Sequence, residues 1–169
     1  FHVLSDYLSR RPVELWAVAE PHAPMHLVSL ASFIGGIQYA SPPAVADVVA
    51  TIERPIGIHT HNDGELAVAN TLAAVRAGAT LVQGTINGYG ERAGNANMVS
   101  LLANLALKTQ HTVAGADRLA DLSHLSHEVA EIANLAPDDH QPYVGRSAFA
   151  HKGGVHGAAV AKVERSYQH

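Results

Sequence analysis

The sequence contains no cysteine, which removes disulfide frameworks, thiolate nucleophiles and thiolate metal ligands from consideration. Basic residues are few and scattered: 11 Lys and Arg stand against 15 Asp and Glu, for a formal net charge of −4. A nucleic-acid footprint needs a basic patch or stripe, so nucleic acid is not an expected partner. No uninterrupted apolar run is long enough to span a bilayer, and no membrane association is expected. The amino terminus, Phe1-His2-Val3-Leu4-Ser5-Asp6, lacks the charged-then-apolar layout of a signal peptide. A cytoplasmic location is the expectation. There is also no initiator methionine, as in a segment from inside a longer protein or a trimmed chain.

What is present suits a folded domain. A chain of 169 residues that is 47% hydrophobic can bury a sizeable core. Residues 1–25 are hard to read, because Arg10-Arg11-Pro12 and Pro21-His22-Ala23-Pro24 break any long element. Only Leu15-Trp16-Ala17-Val18 stands out there as a short apolar piece. His26 to Ala31 reads as a buried strand, Gly35-Gly36 as a turn, and Ser41-Pro42-Pro43 as the opening of a helix through about Ile52. Pro55 to His61 reads as a strand ending at Asn62-Asp63-Gly64, and Glu65 to Ala77 as an Ala- and Leu-rich helix stopped by Gly78. Leu81 to Ile86 reads as another strand, with a helix from about Asn95 to Leu107 after a glycine-rich loop. Strands alternating with helices over short connections imply parallel βαβ units. Beyond Lys108 the alternation stops. A helix over roughly Asp117 to Leu135 and a glycine-punctuated remainder then suggest a separate linker subdomain.

Twelve histidines are unusual, and only their spacing separates ligands from background. His59 and His61 are two apart on a strand, so both imidazoles project from one face. They also lie at the strand's carboxyl end, where barrel enzymes place their active sites. Two imidazoles on one face can chelate a divalent cation, although such a pair alone is more often solvent-facing or hydrogen-bonded. The loop Gly88-Tyr89-Gly90-Glu91-Arg92-Ala93-Gly94-Asn95 follows the next strand, hence on the same rim. Its glycines permit close backbone approach. Asn95 reads either as a neutral oxygen ligand or as the cap of the following helix.

Several long motifs carry a resemblance. His59-Thr60-His61-Asn62-Asp63 with Glu65-Leu66-Ala67-Val68-Ala69-Asn70, and Gln83 to Arg92 with Gly94-Asn95-Ala96, resemble the seventh and eighth strand regions of the 2-isopropylmalate and homocitrate synthase family. Leu135 to Gly145, then Ala150-His151-Lys152-Gly153-Gly154-Val155-His156, is most similar to the citramalate synthase branch. The resemblance covers about residues 44–169. It implies an α/β chain: the carboxyl-terminal portion of a (β/α)8 TIM barrel over residues 26–110, then a small, mainly helical linker subdomain over 111–169.

The resemblance also assigns roles. His59, His61 and Asn95 match three metal ligands, for manganese, magnesium or zinc. His156 matches the catalytic histidine and Tyr167 its nearby tyrosine. Glu91 is expected to orient the site through hydrogen bonds, and His151 to be structural or one step removed. The implied reaction joins acetyl-CoA to a 2-oxo acid, most readily pyruvate to give citramalate for isoleucine synthesis, in a homodimer. A longer 2-oxo acid, as in isopropylmalate or homocitrate synthesis, is the first alternative; a non-catalytic remnant or subunit-binding chain is the second. Two departures stand against a complete site. The family's Cys-Asp-Thr-Asn-Gly-Gly is here Ala31-Ser32-Phe33-Ile34-Gly35-Gly36. The aspartate and arginine of the family's first barrel strand have no counterpart, and a full barrel takes about 250 residues.

Overall fold

The computed structural model describes residues 14–18, 26–31, 42–52 and 55–150. Within them the chain forms two compact units, Phe1–Leu101 and Leu102–His169.

The first unit is a four-stranded sheet in the order β1-β2-β3-β4. Strand β1 (Glu14–Val18) pairs antiparallel with β2 (His26–Ala31), so the apolar piece in the poorly readable segment is an edge strand. Strands β2, β3 (Ile56–Thr60) and β4 (Leu81–Gln83) run parallel. Helices α1 (Pro42–Thr51) and α2 (Ala67–Arg76) make the crossovers, as parallel strands require. Strand β3 alternates in a way that matters later. Ile56, Ile58 and Thr60 are buried, and Ile58 packs with Val45 of α1, Ala74 of α2 and Ala79. His59 therefore projects from the opposite face.

Helix α2 ends where glycine was expected to stop it. Gly78 takes φ +112°, its N–H reaches the Val75 carbonyl, and the Ala79 N–H reaches the Ala74 carbonyl at 3.0 Å. This is the Schellman pairing that satisfies a helix's last carbonyls. The helix begins later than expected, at Ala67, because Glu65 sits at φ +61°. Asn62 supplies the start from outside: its Oδ1 accepts the Ala67 N–H at 3.2 Å.

Two further boundaries differ from the sequence reading. Strand β4 stops at Gln83 because the following loop folds back onto Thr85. The Thr85 N–H bonds the Ala96 carbonyl at 3.1 Å, and the Thr85 carbonyl takes the Met98 N–H at 2.9 Å. Helix α3 (Met98–Lys108) starts three residues after Asn95. Its cap is Asn97, whose Oδ1 accepts the Val99 N–H at 3.0 Å.

In the second unit, the expected long helix is two elements. A 3-10 turn (Ala116–Asp121) precedes α4 (Leu122–Ile132). Residues i and i+3 eclipse in a 3-10 turn, and Arg118 uses that geometry to reach Asp121 at 2.5 Å. Leu122, Ser126 and Ala130 form the buried stripe of α4. Asn134 at φ +54° ends it, with the Leu135 N–H on the Ala130 carbonyl. Farther on, Arg146 makes a bidentate pair with Asp139 at 2.6 and 2.8 Å, which holds that carboxyl below its ordinary range. Tyr143 donates to Asn104 Oδ1 at 3.1 Å, and its burial raises the phenol's pKa. Among the described residues, no helix is long and apolar enough to cross a membrane.

Candidate metal centre

His59 and His61 lie together at the carboxyl end of β3, with ring centroids 5.0 Å apart and an interplanar angle of 78°. Both are half-buried. Burial, and then the neighbouring charge of His61, push the His59 pKa below its ordinary value of 6.5. The neutral imidazole is the form that binds metal, so the environment holds His59 ready for coordination.

Asn95 reaches the same place through backbone register. The Ala96 N–H bonds the Thr60 carbonyl at 3.0 Å and the Asn62 N–H bonds the Gly94 carbonyl at 2.8 Å. Those two bonds flank His61 and Asn95, which form an antiparallel bridge. Such a pair is the non-hydrogen-bonded kind, with Cα atoms about 4.5 Å apart and side chains at their closest. His61 and Asn95 thus project side by side, 34 residues apart in sequence.

Each of these two side chains has one unsatisfied polar atom. His61 Nδ1 and Asn95 Oδ1 are the buried side-chain polar atoms that find no hydrogen-bond partner among the described residues. Leaving a buried donor or acceptor unpaired costs about 1–3 kcal/mol per group. Asn95 is also excused from capping α3, since Asn97 does that. An imidazole nitrogen and an amide oxygen on directly opposed residues, beside a second imidazole, form a donor set suited to a divalent cation. The residues fit the group the sequence implied. Among the described residues no cluster of three or more His, Cys, Asp or Glu side chains could hold a metal; the candidate has two histidines and an amide.

Two features of the surroundings position these groups. Thr60, between the histidines, is buried; its hydroxyl donates to the Ala67 carbonyl at 3.1 Å and lies 2.8 Å from the Thr71 hydroxyl. This ties the end of β3 to α2. Gly90 packs against the Asn95 amide so closely that a Cβ there would lie 2.7 Å from Nδ2. The glycine is therefore a seat for the Asn95 side chain.

Glu91 is exposed, and its charge acts on the neighbouring guanidinium of Arg92. Arg92 instead reaches across to Asp63, with Nε and the terminal nitrogen 2.7 and 2.9 Å from the two carboxylate oxygens. His151, His156 and Tyr167 lie outside the described residues, as do Gly35 and Gly36. The Asp63–Arg92 pair, the Gly90 seat and the Thr60–Thr71 contact were not foreseen. The first links residues 29 apart, and no local pattern announces such a pairing.

The model of the HMGL-like family matches residues 26–127. The (R)-citramalate synthase of Synechocystis sp. is 59% identical over 114 residues, 68% of this chain and 21% of that protein. That of Geobacter sulfurreducens is 54% identical over 125 residues, 74% of this chain and 24% of that protein. The homocitrate synthase AksA of Methanopyrus kandleri is 40% identical over 124 residues, 73% of this chain and 31% of that protein. The chain thus spans about a fifth to a third of the length of these relatives. An HMG-CoA lyase from Acinetobacter baumannii, solved with coenzyme A and 3-methylmalate, superposes with a TM-score of 0.52 at 22% identity, covering 74% of this chain and 43% of that one. That likeness concerns the fold, and the parallel strands with their crossover helices are part of a (β/α)8 barrel. The family match, over more than half the residues, settles the classification: the chain belongs to the HMGL-like family.

Proposed function

We propose that this chain carries the metal-holding rim of an acyltransferase that condenses acetyl-CoA with a 2-oxo acid. One observation supports it above the others: unpaired, buried His61 Nδ1 and Asn95 Oδ1 lie on directly opposed residues beside His59. His59, His61 and Asn95 would hold the cation. Bound there, manganese, magnesium or zinc supplies Lewis acidity toward the carbonyl of the 2-oxo acid. The likeness to (R)-citramalate synthases favours pyruvate as acceptor and citramalate as product, an entry to isoleucine synthesis.

The protein's own groups have distinct tasks in this reading. His59 stays neutral and so remains a donor near pH 7. Gly90 and the β3 register hold Asn95 toward His61. His156, assigned by resemblance, removes a proton from the acetyl methyl and returns one during turnover, a task suited to an imidazole near neutrality. Tyr167 stands beside it by the same resemblance. The carbanion so formed attacks the 2-oxo carbon, and hydrolysis of the thioester releases coenzyme A. Glu91 orients the site through hydrogen bonds in this reading, and its charge acts on the neighbouring Arg92 guanidinium. A homodimer is the assembly expected for this class.

The test has two parts. Manganese titration of the 169-residue chain is read by loss of the free-ion electron paramagnetic resonance signal. Coenzyme A release is then followed with pyruvate, 2-oxoisovalerate and 2-oxoglutarate, using the chain with a purified amino-terminal barrel half of the Synechocystis relative. Saturable binding that vanishes in His61→Ala, with release fastest on pyruvate, is the expected result. A preference for 2-oxoglutarate would select the homocitrate-type reading, which the similarity to the Methanopyrus protein supports. No metal binding, and no thiol release with any acceptor, would reject the proposal.

A further inference from the structure

The two loops that present His61 and Asn95 are joined step by step in antiparallel order. Thr60 meets Ala96 through a backbone bond of 3.0 Å, His61 bridges Asn95, and Asn62 meets Gly94 at 2.8 Å. Beyond these backbone pairings, side chains complete the junction. Asp63 and Arg92 close the row with the bidentate ion pair at 2.7 and 2.9 Å. Asp63 is the more sheltered member, its side chain 17% exposed against 42% for Arg92.

The backbone around this closure is strained. Among the described residues, five non-glycine positions have positive φ, and three of them, Glu65, Asn87 and Arg92, lie in these two loops. Arg92 itself is at φ +57°. A residue with a side chain stays in that region only where its surroundings hold it there. At Arg92 the turn is closed by the Gly94 N–H on the Glu91 carbonyl at 2.9 Å, and the guanidinium is fixed by the fork-to-fork contact with Asp63.

We infer that the Asp63–Arg92 pair is a positioning strap: it locks the strained Glu91–Gly94 turn against the β3 exit and thereby holds Asn95 opposite His61. The pair acts through the Asn62–Gly94 bond next to it. The part concerning metal affinity rests on the proposed metal centre. The part concerning backbone register does not.

That separation shapes the test. In the metal-free chain, hydrogen exchange of the Asn62 and Ala96 amides reports the strap, with the Ala79 and Leu135 amides as controls. Arg92→Gln is expected to speed exchange at Asn62 and Ala96 about tenfold or more while leaving the controls unchanged, with Arg92→Lys intermediate because a lysine cannot bind bidentately. Manganese affinity should fall about tenfold or more in Arg92→Gln, the range for partners that orient ligands, and Asp63→Asn should reproduce it. Unchanged exchange at Asn62 and Ala96 would overturn the strap whatever the metal does. Equal acceleration at all four amides would also overturn it, since that is general destabilisation. If wild type binds no manganese but the exchange pattern holds, the metal centre fails and the strap stands.

Discussion

A single methyl group at position 90 separates the proposed role of Asn95 as a ligand from its role in the fold. Gly90 has no positive φ, so alanine is acceptable to its backbone. The obstacle is the Asn95 amide. An added Cβ would lie 2.7 Å from Nδ2, 2.9 Å from Cγ and 3.1 Å from Oδ1, whereas ordinary contact begins at 3.4 Å. The amide must therefore retreat by 0.7 Å at its nearest atom. It can do so by turning about its own side-chain torsions, because it is the end of a side chain and not backbone. Metal sites tolerate ligand displacements of only about 0.2 Å. The two demands diverge: the fold gives way cheaply, and the ligand set does not.

Gly90→Ala should thus lower manganese affinity about 10–100-fold, as expected when a ligand loses its support. The metal-free chain should lose at most about 1 kcal/mol of stability, which is about 2–4 °C in Tm for a chain of this size. Gly94→Ala is the contrasting variant. Gly94 is at φ +99° and its Cβ would strike the Gly88 carbonyl, so backbone would have to move. That variant should lose more than about 1 kcal/mol. Titration calorimetry with manganese and differential scanning calorimetry of the metal-free chains give both quantities. Wild-type affinity in Gly90→Ala would refute the assignment of Asn95, as would a melting point as low as that of Gly94→Ala.

Other perturbations have sharper signs than sizes. Asn97→Ala removes the α3 cap at Val99 and should cost about 1 kcal/mol by thermal melt without altering manganese affinity; a large affinity loss would return the cap to Asn95. Thr71→Val takes one hydroxyl from the buried pair while Thr60 keeps the Ala67 carbonyl, so the loss should be about 1 kcal/mol, checked by chemical denaturation. Because the folded His59 pKa lies below 6.5, the unfolded chain takes up its proton first on acidification. That stability is intact above pH 6.5 and is lost as pH falls below it toward the folded value. Melting from pH 8 to 5 should show the slope in the metal-free chain and a weaker one in His59→Gln; the opposite slope would contradict the burial. A chelator should lower the Tm of the manganese-loaded chain back to the metal-free value, by mass action.

The elements that could be read from sequence are those whose cause is local. Strand β3 declares itself through Ile56 and Ile58 alternating with Gly57 and His59, and α2 through its small apolar residues and the glycine that ends it. The same locality explains the errors. The helix expected from about Asn95 starts instead at Met98, with Asn97 taking the Val99 N–H. Leu81 to Ile86 looks like one apolar strand, but Thr85 gives its backbone to residues 96 and 98 of the returning loop. Each mistake arises where a loop competes for the same backbone groups. The antiparallel pairing of β1 with β2 was equally out of reach, since a short apolar run carries no direction.

The candidate site shows the limit most clearly. Spacing alone puts His59 and His61 on one face, because a strand's side chains repeat every two residues. Nothing in the spacing says which residue of the glycine-rich loop will stand opposite His61. Register decides it, through the bonds that join residues 60 to 96 and 62 to 94. A slip of one residue would turn the Asn95 side chain to the other face and bring Gly94 or Ala96 opposite His61, neither of which can ligate through a side chain. It would also carry the Asn95 amide away from the Gly90 seat and pull Arg92 out of line with Asp63. The glycines and the charged residues of this loop are therefore best understood as register devices, and the ligand role proposed for Asn95 depends on their agreeing on one alignment.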